Sequence, residues 1–279
     1  SLDIGHGAGG VTNTAVGTDA LDSSHASATH NTAIGNSALT GVHTAAATYN
    51  TVVGSLAGAA ITSGTSNTAV GASALDGTDD GAYNVAVGVN ALGGNCANYN
   101  TAIGRDALIS FTGSNATAVG SGAADSATSA TGLTAVGYNA LGACTDGTGN
   151  TAVGKDAGAT LTTGDYNTAL GALALDDSVI DTQKNTAIGY GALSGACTND
   201  NTGLGHAAGA AITIGDYNTA VGSAALDEST VDAQANTAVG YAALSAAAED
   251  DNTAIGHKAL FVFTGNTATA VGSGAADAL

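Results

Sequence analysis

The chain has no proline, no methionine and no tryptophan, only four lysines and arginines together, and 4% aromatic residues in 279 positions. Each shortage excludes something. With no proline and no charge block to divide it, the chain reads as a single array over 1–279 without capping domains. So few large side chains argue against a broad globular core, while 42 glycines and abundant alanine permit a narrow, tightly stacked one. Four basic residues against 23 acidic ones leave a net charge of −19, which excludes nucleic acid as a partner. It also argues against anionic membranes, and no apolar run approaches the ~20 residues of a spanning helix, so membrane insertion is not expected. An acidic, lysine-poor surface resists aggregation, which suits an exposed fibre or salty surroundings.

What the chain does contain is one stretch written seventeen times. Asn-Thr-Ala-Val/Ile-Gly, as in Asn31-Thr32-Ala33-Ile34-Gly35 and Asn236-Thr237-Ala238-Val239-Gly240, recurs at nearly constant spacing from Gly5 to Gly272. Thr-Ala-Val alternates, with Thr and Val on one face and Ala on the other, and so predicts a short β-strand. The glycine predicts a positive φ or a close backbone approach where the strand turns. Three residues later stands Ala in every copy (Ala8, Ala38, Ala243), then usually Leu (Leu39, Leu244). That Ala marks a wall too close for a larger group, and the Leu column is the expected filler of a thin core. Asn opens thirteen copies. Its amides can pass hydrogen bonds from rung to rung, or each can cap its own turn.

One strand and one return cannot bury an apolar face alone, so the copies must stack. The expected fold is all-β, a parallel β-solenoid or β-roll of about 17 coils. At ~4.8 Å per rung this predicts a rod roughly 80 Å long. The copies also rotate through three classes, giving a 51-residue super-repeat. Either one coil spans a single copy, about 17 residues, and the longer period records duplication, or one large turn spans three copies. Stacked Tyr138, Tyr190 and Tyr241 favour the second. Like charges set over one another (Asp176 on Asp227, Arg105 on Lys155) oppose it, and one copy per coil is the preferred reading. Cys96, Cys144 and Cys197 then lie three rungs apart, about 14 Å, beyond disulfide reach. They read as small buried residues, with the odd thiol a candidate for pairing between chains.

Candidate sites are few. His6, His206, His257, Arg105 and Lys155 share the column after one class of glycine, without the companions a metal needs, and predict a solvated basic ridge able to pair with acidic loops of a neighbouring protomer. Asp176, Asp177, Asp227 and Glu228 are weak calcium candidates; solvated charge is the default. Tyr49, Tyr83, Tyr99, Tyr166 and Tyr217 precede the strand Asn and, with Tyr138, Tyr190 and Tyr241, are candidate assembly contacts. Asn115-Ala116-Thr117 matches a glycosylation acceptor. No nucleophile set, carboxylate pair or phosphate loop emerges, so neither an enzyme nor a cofactor is expected.

Asn-Thr-Ala-Ile-Gly-x-x-Ala-Leu, at 31–39 and 252–260, resembles the head repeats of trimeric autotransporter adhesins and related repeats of phage tail fibres and bacterial surface proteins. The resemblance implies a left-handed parallel β-roll, often trimeric, on an extracellular fibre at a cell or virion surface. Both ends of the chain break off inside the pattern, which leads one to expect a fragment of a longer chain or head-to-tail stacking. The functional expectation is a self-associating structural subunit of an extracellular filament. The alternatives are an adhesin head binding surface ligands through its loops, and an ice-binding protein using the threonine column.

Overall fold

The structure, a computed structural model, describes residues 4–5, 12–22, 27–41, 44, 46–177, 181–228 and 232–277. His6 and Ala8 lie outside them. The chain divides into two compact units, Ser1–Ala135 and Val136–Leu279. Each is a parallel β-solenoid, and no described residue is helical.

In the first unit the strands run from Thr14–Val16 through Thr32–Ile34 and onward to Thr117–Val119, each hydrogen-bonded in parallel to the next. In the second they run from Thr151–Val153 to Thr269–Val271 in the same way. The strand Thr134–Val136 carries the boundary. Register pairs Thr with Thr and Ala with Ala at most rungs, as Thr237 with Thr253 and Ala238 with Ala254. The step from one rung to the next is 16 residues between Asn236 and Asn252 and 19 residues between Asn31 and Asn50. Asn150 and Asn167, at 17 residues, are typical. One copy of the repeat therefore makes one coil. The 51-residue period is a three-coil super-repeat, and the single large turn is ruled out.

The first copy departs from this pattern. Ile4–Gly5 pairs antiparallel with Thr14–Val16, Ile4 opposite Val16. Gly5 and Gly17 stand closer in sequence than any later pair of strand glycines. The span is too short to complete a coil, so the first copy pairs antiparallel and does not add a parallel rung.

The middle residue of each strand, usually Ala, points inward and is buried from Ala33 to Ala254, while Thr and Val or Ile point outward. The Ala three residues after the glycine and the following Leu complete the interior: Ala38, Leu39, Ala243 and Leu244 are fully buried. Leu39, Leu75, Leu193 and Leu244 all hold φ between 47 and 56°, the left-handed region that glycine prefers. That conformation costs ~1–2 kcal/mol, but burying a leucine gains ~1.5–3 kcal/mol. It also lets the leucine N–H join the rung ladder, as Leu39 N donates to Ala57 O at 3.0 Å. Burial and hydrogen bonding together outweigh the strain.

Three coils solve the same problem differently. Gly58, Gly158 and Gly209 replace Leu in the left-handed position, and Ile61, Leu161 and Ile212, three residues on, fill the space instead. A Cβ on Gly209 would lie 2.7 Å from Leu193 Cδ2 and 3.0 Å from Ile212 Cδ1. Either position can thus supply the interior volume, and neighbouring coils share it: Leu108 and Phe111 are both buried in one coil, Ala124 and Ala127 in the next.

Candidate functional site: ladders and outer columns

The asparagine column is a continuous device within each unit. Asn31 N donates to Asn13 Oδ1 at 2.9 Å, Asn50 N to Asn31 Oδ1 at 2.9 Å, and so on to Ala116 N on Asn100 Oδ1. In the second unit it runs from Asn150 to Ala268, including Asn236 N on Asn218 Oδ1 at 3.0 Å. Most Nδ2 groups reach inward to a loop carbonyl, as Asn50 to Gly64 O at 2.9 Å and Asn201 to Gly215 O at 2.8 Å, and Asn236 Nδ2 donates to Asn218 Oδ1 at 3.2 Å. The amide therefore ties strand to loop as well as rung to rung, and the buried groups it displaces from water gain partners.

The glycine that ends most strands needs both properties anticipated for it. Its φ lies near +130 to +147°, and a Cβ on Gly17 or Gly171 would stand 2.5 Å from the carbonyl oxygen of the next rung's glycine. No side chain fits there. At Gly272, the last, only the positive φ remains, since a Cβ there would meet only Ala275 Cβ at 3.8 Å.

A second, partial ladder escaped the sequence reading. Asn98 Oδ1 accepts from Ala82 N at 2.8 Å, Asp165 from Thr148 N at 2.7 Å, Asp216 from Asn199 N at 2.7 Å and Asp250 from Gln234 N at 2.8 Å. All sit at one fixed offset before the strand glycine. A search for Asx residues at constant offset would have found them.

The outward strand face carries Thr in one column and Val, Ile or Leu in the next. Ile34, Val70 and Ile103 are each about two-fifths exposed, as are Leu170, Leu204 and Ile255. No strand residue of this face is charged, although the chain carries −19.

The column after the strand glycine presents Tyr138, Tyr190 and Tyr241. These lie three coils apart and so do not stack on one another. Tyr190 stacks instead on His206 at 5.6 Å and Tyr241 on His257 at 5.5 Å, one rung away. The cations of this column pair locally: Lys155 Nζ lies 2.8 Å from Asp156 and Arg105 lies 3.3 Å from Asp106. The Asp156 hydrogen bond raises the Lys155 pKa; Lys155, then Asn139, lowers that of Asp156. The ridge is partly neutralised within its own coil. The tyrosines that precede the strand Asn are exposed and left-handed; Tyr83 stacks on Tyr99 at 5.2 Å and Tyr49 on His30 at 4.8 Å.

Cys96, Cys144 and Cys197 are free and buried. Burial pushes all three thiols up, Cys197 to about 12. They are core residues, which withdraws them as contacts between chains. Of the acidic candidates, Asp176 has its pKa raised by burial and then by Asp177. Among the described residues no group of three or more His, Cys, Asp or Glu is placed to hold a metal ion. No helix among them is long and apolar enough to cross a membrane.

The fold and its ladders define a class, the parallel β-solenoid with an internal asparagine column. No protein-family model matches the sequence, and no curated protein or solved structure matches it at a significant level.

Proposed function

We propose that the protein is a structural subunit of an extracellular filament or fibre, built by copies of itself packing along the Thr–Val face. The observation that carries this reading is the uncharged outward face, with an apolar β-branched or leucine side chain at every rung. A lone soluble solenoid gains nothing from that column, and an apolar stripe rimmed by polar residues is what an interface offers. The acidic groups lie on the other faces, where they keep assembled fibres apart. In this reading the chain is a scaffold, acts on no substrate and needs no cofactor, and it works at a cell or virion surface.

Negative-stain microscopy and sedimentation test it. Wild type is expected to form filaments or defined oligomers. Val70→Lys with Ile103→Lys, both outward-facing, is expected to return it to single chains with an unchanged circular dichroism spectrum. Wild-type protein that sediments as single chains overturns the proposal. Discrete short particles that adhere to surfaces support the adhesin head instead.

A second reading, ice binding, draws support from the threonine column, which points outward in register with the rungs. Thermal hysteresis in a cooled solution supports it, and a null measurement ends it.

A further inference from the structure

In the second unit, three successive rungs enclose a cleft of about 350 Å³. The lower rung supplies Asp227 and Glu228, the upper one Phe261 and Val262. Between them the middle rung is recessed, because Ala242, Ser245 and Ala246 are small, and Tyr241 closes one side. Ser245 Oγ donates to Ala224 O at 2.7 Å and holds the floor together. Asp227 Oδ1 is buried and, among the described residues, accepts no hydrogen bond.

The cleft is also where the repeat departs from itself. One super-repeat earlier, the positions of Ala224, Tyr241, Phe261 and Val262 hold Leu173, Tyr190, Ala210 and Ala211. Two super-repeats before that, in the first unit, they hold Ser73, Val89, Ile109 and Ser110, and Gly77 stands in place of Glu228. In this comparison only the last station combines two aromatic rings, two adjacent carboxylates and a small floor. In this column other coils of its class carry Ala59, Ile109, Ala159 and Ala210, none of them aromatic, so Phe261 is a departure that marks a local role.

From these features we infer that the cleft is a binding site for a small organic cation, a primary ammonium or guanidinium group. Such a group donates hydrogen bonds to Asp227, balances Asp227 and Glu228, and lies against the rings of Tyr241 and Phe261. The chain's own Lys258 Nζ, 4.8 Å from the Phe261 centroid, displays the same chemistry on that ring. A neutral sugar leaves both carboxylates without a counter-charge. The site is independent of the fibre reading.

The test uses the full chain, isotope-labelled for NMR, titrated with butylguanidinium and butylammonium, with butanol as the neutral control. Saturable shifts at the amides of Ala224, Tyr241 and Ala246 are expected with the two cations and not with butanol. Ala224→Leu should fill the cleft without harming the fold, since Leu173 and Leu56 hold this column at φ 57° where Ala224 has φ 54°. Ala224→Leu and Asp227→Asn should each weaken binding by about ten-fold or more, the loss of one charge-assisted contact or of the space for it. Equal binding by wild type and both variants would reduce the effect to diffuse attraction by the acidic surface and overturn the site, as would butanol binding as well as the cations, or no saturable shift. Sedimentation without added cation separates two sources of the group. A mass change in Ala224→Leu assigns it to a Lys or Arg side chain of a second copy; no change assigns it to a free small molecule.

Discussion

The strand corner and the return loop of each coil obey different rules. At the corner, backbone meets backbone: the glycine of one rung lies under the carbonyl of the next, and the buried Asn spans both. In the return, side chain meets side chain, and the requirement is a filled volume. Leu at one position or Gly with Ile three residues on satisfies it equally. The corner is therefore nearly invariant, whereas the loop varies and is free to acquire a cleft.

The largest effect should come from breaking the corner. Gly171→Ala places a Cβ 2.5 Å from Gly189 O, at φ +133°. Neither backbone can yield without opening a rung, and a loss of about 3 kcal/mol or more is expected in denaturant unfolding. Its counterpart in the return is Gly191→Ala, also left-handed at φ +60°, whose Cβ would meet only Ser194 Oγ at 3.8 Å. Ala207 and Ala242 already occupy that column, so a change of about 1 kcal/mol or less is expected. Similar losses for the two variants would erase the distinction.

Asn201→Ala comes next. It strands the buried Asn218 N–H (2.9 Å) and removes one of two donors from Gly215 C=O (2.8 Å), which keeps Thr198 Oγ1 at 3.1 Å. A loss of about 1–3 kcal/mol follows, the cost of one unmet buried group. The exposed Asn115, whose side chain donates to Ser114 Oγ, serves as the control; with a left-handed φ of 59° it should lose about 1 kcal/mol or less when changed to Ala.

The smallest net effect should come from moving volume within the return. Gly209→Leu alone overpacks against Leu193 and Ile212, and Ile212→Ala alone leaves a cavity; each should cost about 1–4 kcal/mol. Combined, they recreate the arrangement of the Leu-bearing coils, so the double variant should recover about 1–3 kcal/mol of the summed loss in a double-mutant cycle. Strict additivity would mean that position, and not volume, is what the loop specifies.

Much of this was legible in the residues. The spacing of Thr32, Thr51 and Thr68 announced a rung, and Gly35 announced a backbone restriction. Asn31 and Asn50 pointed to a ladder or a local cap, and Leu39 to a core. Other features had no local signal. A leucine written after alanine says nothing of a left-handed backbone, because that conformation is imposed by the rung above. The stacking of Tyr241 on His257 depends on coil length, which the 51-residue period left open. The short span from Gly5 to Gly17 was visible, but its antiparallel outcome required knowing how much chain a coil needs.

The sequence by itself determined the rung, its period and the identities at the corner, because those are set by backbone geometry repeated at fixed intervals. Only the tertiary structure decided that alanine, and not Thr-x-Val, faces inward. An alternating strand fits either way round; the choice falls to the width between opposing walls. A wall that already holds a buried leucine leaves room for a methyl group and little more. The same stacking brought Asp227, Tyr241 and Phe261, from three different coils, around one cleft.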